Sequence, residues 1–414
     1  MSKLSWGIKY TAKYMKIATS YSEDKSVDKA VRKAYDKIIE SLGADPNLIL
    51  AFSTVEYNGD EVYRILKELA GDIPFQGGTS CVGITTEQGF HSVDGRSFVL
   101  WAITDEDGFF GVGEAEIGDD PKEAAEKALK NAQKDADMIG ELPTAVWLTS
   151  APGNEEMILE SLTEKLGNEV CLIGGSSADN TVEGKWKQFS SNGVYSNAVT
   201  LAAFFLDSKV SIAFHSGYDP TDNKGVVTES KGRRIINKID HKPASQVYNE
   251  WTNGAIASVL REGGNILEKS NLFPIGRQLG EKRGVTYYVL SHPETVTPEG
   301  AITLFTNIQE GDEITCMKGS VDNLVYRVGN VTELALEVAD FDKQNLTGAL
   351  IIFCAGCMLT IGNRMNEAIE NIKKVLGDNV PFLAAHTFGE QGNVGGFGNC
   401  HGNLMISALL FGSK

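Results

Sequence analysis

Cys354 and Cys357 form a C-x-x-C pair at the end of an apolar run, and Cys400–His401 follows later in the chain. Soft thiolates beside an imidazole suit zinc, iron or an iron–sulfur cluster. A single C-x-x-C with no second pair is also what two buried, apolar cysteines look like, so packing stands beside metal binding as its reading. Cys354, Glu390 and His401 can be drawn as a thiol, an orienting carboxylate and a base, the parts of a nucleophilic enzyme. No G-x-S-x-G elbow, H-E-x-x-H or paired-carboxylate signature accompanies them, so recognition is expected rather than turnover, with a thiol enzyme as the lesser alternative. Among the six histidines, His386 and His401 are the candidate ligands for a haem iron or a metal, and Cys354 and Cys357 are the alternative metal ligands.

The backbone offers a different chemistry. Two glycine-rich turns, Gly77–Gly78–Thr79–Ser80 and Gly174–Gly175–Ser176–Ser177, recur in a third place as Ala384–Ala385–His386–Thr387. Glycines at strand ends let N–H donors approach a ligand closely, and in open α/β sheets ligands lie beyond the carboxyl ends of the strands. With Cys354, His386, Thr387, Gly389, Glu390 and His401, the turns are expected to line one pocket for an amino-acid-like or other small polar metabolite. The competing reading is that the glycines only permit tight turns and close packing. Neither G-x-x-x-x-G-K-[ST] nor G-x-G-x-x-G opening a helix occurs, which disfavours phosphate cofactors.

The elements that would position these groups repeat three times. Apolar strands at Leu48–Thr54, Ala145–Ala151 and Ala349–Ala355 each lead through a short loop into an amphipathic segment, EVYRILKELAGDI, EMILESLTEKLGNEV or NEAIENIKKVLGDNV. Their apolar residues recur every three or four positions and each run stops near a glycine, as helices do. The small-residue turn comes next, then a polar loop and a closing strand, SFVLWAI, AVTLAAFF or LMISALLF. A further helix precedes each copy, at Val27–Leu42, Pro121–Asp137 and Val331–Val338. The fold class expected is therefore mixed α/β, with internally repeated helix–strand–helix–strand–strand units and mixed sheets flanked by helices. Residues 207–312 break the period with a β-rich insertion. A cut there leaves residues 1–206 with two copies, and residues 207–414 with the insertion and the third.

Composition sets the outer limits. The chain has 414 residues, 42% apolar and 22% charged, which is ordinary globular usage. Acidic side chains outnumber basic ones 55 to 38, and the net charge of −17 makes nucleic acid an unsuitable partner. Six cysteines scattered through a chain of this size fit a reduced, cytoplasmic setting. Lys3, Lys9, Lys13 and Lys16 interrupt any signal-peptide core. The longest uncharged stretch, Leu346–Asn363, contains three glycines and reads as a strand running into a loop, so no membrane partner is expected.

The segment GYDPTDNKGVVTESKGRRIINKIDHKPASQVY from Gly217 resembles the centre of FIST-domain proteins, with their glycine-proline turn, T-x-a-x-G-x-x-I strand pair and helix-opening [K/R]-P-A-x-x-x-Y. PIGRQLG, AITLFTNIQEGDEITCMKGS and ALIIFCAGC are similar to successive strands of the family's C-terminal half. PFLAAHTFGEQG resembles its P-x-x-G-f-y-t-y-G-E signature, HGN from His401 its final element, and PFQGGTSCVGIT and CLIGGSSADN its N-terminal glycine-rich elements. The resemblance implies a small-ligand sensory module working with signalling proteins such as histidine kinases, chemotaxis transducers or cyclic-dinucleotide enzymes. One subgroup of the family binds haem and senses nitric oxide, which makes haem the one cofactor to consider. Because Lys414 closely follows the last such strand, a stand-alone sensor signalling through a separate protein is expected. Cys357 stands where the family often carries Arg, Ala384 replaces its Gly and His386 an aromatic, so ligand identity does not carry over.

Overall fold

The computed structural model describes residues 15–282, 284–339 and 341–413. The lysine-interrupted start of the chain lies, up to residue 14, outside the described residues. The first unit runs β1 (Lys16–Ser22), α1 (Val27–Leu42), β2 (Leu48–Ser53), α2 (Gly59–Ala70), β3 (Phe75–Thr79), a hairpin of β4 (Ile84–Thr86) and β5 (Gly89–His91), and β6 (Phe98–Thr104). The second repeats it with β7 (Phe109–Glu116), α3 (Pro121–Asp135), β8 (Ala145–Ser150), α4 (Glu155–Leu166), β9 (Cys171–Ser176), the hairpin β10 (Gln188–Ser190) and β11 (Gly193–Tyr195), and β12 (Ala198–Phe205). The third opens on β13 (Val210–Ser216) and is then interrupted. Its insertion comprises β14 (Asp219–Ser230), β15 (Ile235–Ile239), β16 (Lys242–Pro243), α5 (Ala244–Trp251), β17 (Gly264–Asn265), α6 (Leu267–Ser270), β18 (Ile275–Lys282), β19 (Val285–Ser291), β20 (Pro293–Val296), β21 (Ile302–Leu304) and β22 (Glu313–Lys318). The unit then resumes with α7 (Val321–Ala339), β23 (Leu346–Cys354), α8 (Ala355–Ile361), α9 (Met365–Leu376), β24 (Phe382–Thr387), the hairpin β25 (Glu390–Val394) and β26 (Gly398–Gly402), and β27 (Met405–Gly412).

Local chemistry sets many of these boundaries. Ser26 accepts a bond from Lys29 N at the start of α1, and Gly43 ends that helix in the left-handed region at φ 74°. Asn58 caps α2 through Glu61 N, and Asp120 caps α3 ahead of a proline in its first turn.

Each unit contributes four strands to a six-stranded sheet, in the orders β1-β6-β2-β3, β7-β12-β8-β9 and β13-β27-β23-β24. The last two strands of each sheet come from elsewhere. The second unit's hairpin completes the first sheet, the third unit's completes the second, and the first unit's completes the third. The exchange is cyclic, so no unit is finished without the next. Among the described residues only the pairs β2–β3, β8–β9 and β23–β24 are parallel. The inner faces meet in one central core that includes Leu50, Trp101, Trp147, Phe204, Leu350 and Phe411. The outer faces are covered by the helices, as with Ala30, Val31, Ala34 and Ile38 of α1 against the first sheet. The insertion is an antiparallel sheet with a core of its own, built on Val227, Ile236, Tyr248 and Ile302.

Three details depart from the sequence reading. Each unit begins with a strand, and the segment placed at the head of the insertion, SKVSIAF, supplies β13, paired along β27. Helix α7 begins at Val321 instead of Val331. Gly329 weakens that stretch as a helix former, yet α9 packs so closely there that a Cβ would lie 2.9 Å from Asn371 O. The uncharged run from Leu346 becomes strand, then α8, where a loop was expected. Among the described residues no helix is long and apolar enough to cross a membrane.

Helix α3 lies on β7 with no room to spare: a Cβ would come within 2.1 Å of Ala132 O at Gly111 and 2.0 Å of Ala128 O at Gly113. Gly113→Ala is therefore expected to lower stability by about 1–3 kcal/mol through overpacking. Gly118→Ala, with nothing within 4 Å, should be near neutral. Urea denaturation of both variants checks this; equal midpoints would show that α3 yields freely.

Candidate functional site

The three small-residue corners meet. Cys81 N donates to His386 O at 3.0 Å, Ala178 N to Thr79 O at 2.9 Å and Phe388 N to Ser176 O at 3.1 Å, so each unit's corner bonds to another's in a closed ring. The side chains interlock as well. A Cβ on Gly78 would sit 2.6 Å from Ser177 Oγ, one on Gly175 would sit 2.6 Å from the Thr387 side chain, and Ser80 Oγ accepts from His386 N at 2.9 Å. Gly77 and Gly174 leave space for a neighbouring carbonyl, with a Cβ only 1.8 Å from Ala51 O and 2.0 Å from Leu148 O.

This corrects the expectation of a hollow shared by all three corners. Gly77, Gly78, Thr79, Ser80, Gly174, Gly175 and Ser177 converge by touching one another, and close packing rather than ligand contact explains their size. His386 belongs to the same junction and does not face a cavity. Its Nδ1 lies 2.9 Å from Gly83 O and its Nε2 3.3 Å from Thr85 Oγ1, so both ring nitrogens are engaged. Burial pushes its pKa down to about 4.

A cavity of about 760 Å³ lies beside the ring, beyond the carboxyl ends of β8 and β23. Its floor is Gly153 and Glu155 of the second unit with Cys354, Ala355, Gly356 and Thr387 of the third. The insertion roofs it with Arg234, Leu267, Asn271, Leu272, His292 and Phe305. Trp186 and Phe388 meet edge to face at 6.1 Å on one wall, so the lining is chiefly apolar with a few convergent polar groups. His292 Nε2 lies 3.1 Å from Leu267 O; donating there leaves Nδ1 as the ring's acceptor. Asn403 joins roof to floor, accepting from His292 N at 3.2 Å and donating to Phe388 O at 3.3 Å.

A charge cluster forms one edge of the cavity. Arg234 Nη2 lies 2.8 Å from Glu155 Oε2 and 2.7 Å from Glu156 Oε2. Glu155 also accepts from Gly153 N and from Ser176 Oγ, the latter at 2.7 Å, and Glu156 accepts from Asn307 N at 2.7 Å. Burial alone would raise the Glu155 carboxyl, but the His401 imidazole and Arg234 guanidinium outweigh it and hold the group below its ordinary value. The same neighbours hold Glu156 well below the usual carboxylate range. His401 Nδ1 stands 3.0 Å from Glu156 Oε1, outside the cavity wall and without a well-aligned hydrogen bond from either nitrogen.

Glu155, Glu156 and His401 can each offer a metal ion one ligand atom, all within 4.8 Å of one another. Arg234 already stands there as the counter-cation, so an ion would have to displace it. The pair Cys354 and Cys357 joins no such group among the described residues. Both are buried free thiols, and Cys357 Sγ lies 3.7 Å from Tyr218 Oη. Of the two histidines singled out for haem, His386 has both ring nitrogens engaged and no free lone pair, while His401 sets Nδ1 beside Glu156 and keeps Nε2 without a partner among the described residues.

Of the residues named from sequence, Cys354 and Thr387 line the cavity. Ser176 touches it through Glu155. Glu390 lies beneath, accepting from Met405 N at 3.1 Å and Thr387 Oγ1 at 3.2 Å. Burial, and then the adjacent Cys354 thiol, raise the Glu390 carboxyl well above its ordinary value, which favours its protonated form. Gly389 gives its carbonyl to Ser176 N and makes room for His401, whose Nε2 a Cβ would approach at 2.5 Å. Sequence reasoning passed over Arg234, His292, Trp186 and Glu155. Glu155 carried the one usable signal, a carboxylate in a helix's first turn beside the Gly153 loop.

Arg234→Met removes the guanidinium shared by buried Glu155 and half-buried Glu156. A cost of about 3 kcal/mol is expected near neutral pH, at the low end for a broken buried pair because Arg234 keeps 22% exposure. Glu155 and Glu156 have depressed folded-state pKa values, so the stability they supply is present above the unfolded value and lost as pH falls. The gap between parent and variant should therefore narrow toward acid, and a pH-independent gap in thermal midpoint would contradict the assignment. Glu390 has the opposite sign. Its raised pKa favours folding below the unfolded value and loses that contribution as pH rises, so Glu390→Gln should gain on the parent between about pH 5 and about pH 8. A flat difference in midpoint over that range would place an ionised carboxylate there.

No curated protein matches this chain. Among solved structures, cyanuric acid hydrolase from A. caulinodans is similar at 8% identity and a TM-score of 0.31, covering 96% of this chain and 99% of that one. PurLQS from Thermotoga maritima follows at 10% identity and 0.22, covering 97% and 72%. Superposition at that level is too loose to transfer chemistry. The FIST N domain is matched over residues 47–242 and the FIST C domain over residues 244–393. Those matches span most of the chain, so the protein belongs to the FIST family, whose domains are small-ligand sensory modules of signalling proteins.

Proposed function

We propose that the cavity roofed by the insertion is the ligand site of this sensory protein, and that its occupancy is read by a separate signalling protein. The observation that carries the reading is the placement of Arg234. This residue belongs to the insertion, lines the cavity, and makes the ion pairs that hold the insertion to the second unit. A ligand that engages Arg234 or Glu155 competes with that clasp, so binding acts on the seating of the roof.

The lining selects the class of ligand. Trp186, Phe388, Phe305, Leu272 and Leu359 favour a flat or branched apolar body, while Glu155, Arg234 and Asn271 favour a polar end carrying both a donor and an acceptor. An amino-acid-like metabolite with a sizeable side chain meets both demands. The arrangement supports recognition over turnover. Burial raises the Cys354 thiol well above its ordinary value, with Cys357 adding to the shift, so no thiolate is prepared. A nucleophile of this kind needs a base, and the histidines singled out are engaged elsewhere, His386 in the corner junction with Gly83 O and Thr85 Oγ1, and His401 beside Glu156.

Leu359 is 53% exposed and lines the cavity, so Leu359→Trp fills the site without disturbing the core. Mass spectrometry of natively purified and then denatured protein is expected to release a small organic molecule from the parent and at least tenfold less from Leu359→Trp. A parent that releases nothing, and whose melting point no metabolite in a broad panel raises, would sink the reading.

A further inference from the structure

A second cavity, of about 430 Å³, lies between the β13–β14 junction, β19, β22 and α7. Spacings of three and four place Asn323, Arg327 and Asn330 on one face of α7, and all three line it. Gly217 makes the site possible: a Cβ there would lie 3.1 Å from Arg327 Cβ, so the arginine stem rests directly on the backbone. Among the described residues, no carboxylate lies within ion-pair distance of Arg327, and its buried Nε has no acceptor. Its hydrogen-bond partner among the described residues is His215 Nδ1, which also accepts from Ser216 N at 2.8 Å. An imidazole accepting at that nitrogen is neutral, so it supplies a lone pair and no compensating charge.

A half-buried guanidinium with donors to spare and no carboxylate in contact is costly to hold, even with Asp219 across the cavity. We propose that this cavity is a separate binding site for a small monocarboxylate, with Arg327 as its anchoring cation. A monoanion fits better than a phosphate dianion because Asp219 lines the same cavity, its Oδ2 accepting from Asn323 Nδ2 at 3.2 Å. Asp219 already offsets part of the arginine charge at a distance, so each further negative charge on a ligand is opposed, and a monoanion is opposed less than a dianion. Tyr288 and Met317 give the ligand's body an apolar wall. Tyr218 forms the partition toward the first cavity, its ring lining this one and its hydroxyl donating to Asn271 O at 2.7 Å.

Saturation-transfer NMR with benzoate, phenyl phosphate and benzyl alcohol at fixed ionic strength tests the site, using Leu359→Trp protein so that the first cavity is closed. Saturable benzoate binding is expected, at least tenfold weaker after Arg327→Gln, with weaker phenyl phosphate and no saturable benzyl alcohol signal. Equal benzoate binding with and without Arg327 would overturn the site. Tighter phenyl phosphate would overturn the monocarboxylate class, and equal benzyl alcohol would reduce the site to an apolar cleft. Should Arg327→Gln fail to fold, Asn323→Asp decides, because that residue is exposed and the change adds a second repelling carboxylate at the rim. Unchanged benzoate affinity in that variant counts against the proposal in the same way.

Discussion

Three backbone hydrogen bonds, each crossing from one unit's corner to another's, hold this architecture in register. Cys81, Ala178 and Phe388 occupy the same place in their units, and each donates to the residue two places earlier in another unit's corner, His386, Thr79 and Ser176. Each such bond contributes about 1 kcal/mol net, yet leaving its buried groups unmade would cost more. The ring is therefore a constraint more than a source of stability. It demands side chains small enough for backbones to touch, which is why Gly78 and Gly175 face Ser177 and Thr387 with no space for a Cβ. The cyclic exchange of hairpins follows from the same closure, since a strand leaving one corner is carried straight to the edge of the neighbouring sheet.

Pseudo-symmetry of this kind offers three equivalent places for a ligand, one beyond each pair of parallel strand ends. The insertion selects among them. It departs after β13, packs its own core, and returns to α7 having roofed only the space between the second and third units. The cavity is a departure from the repeat, and the residues that differ mark it. Phe353 stands where Ser53 and Ser150 occupy the other units, and the next residue is Cys354 on the cavity floor.

The repeat and its helices were legible in sequence because their causes are local. Val27–Leu42 is bounded by a serine cap and a left-handed glycine, both readable from residue type. The convergence of the corners was legible too, but its meaning was not. Glycine is equally suited to a ligand's approach and to a neighbouring strand's, and only the position of Ala51 O against Gly77 or Leu148 O against Gly174 decides between them. Cys354 and Thr387 could be named because they end strands of the repeat. Arg234, His292 and Phe305 could not, because the docking of the insertion rests on contacts distant in sequence that no periodicity encodes. Glu155 meets Arg234 across 79 positions.

A clasp of charges joins roof to floor where apolar packing would bind more firmly, and the difference matters for a sensor. Apolar contact is indifferent to what enters the cavity. An ion pair on the cavity's edge is not, because its strength depends on the dielectric around it and on any new charge within reach. Glu155 is fixed by Gly153 N and Ser176 Oγ, so it cannot follow a ligand, while Arg234 reaches it on a long stem from the turn between β14 and β15. The rigid partner therefore belongs to the closed ring and the movable one to the insertion. Any displacement that a ligand causes is directed into the roof, the part of the molecule that the repeat does not hold.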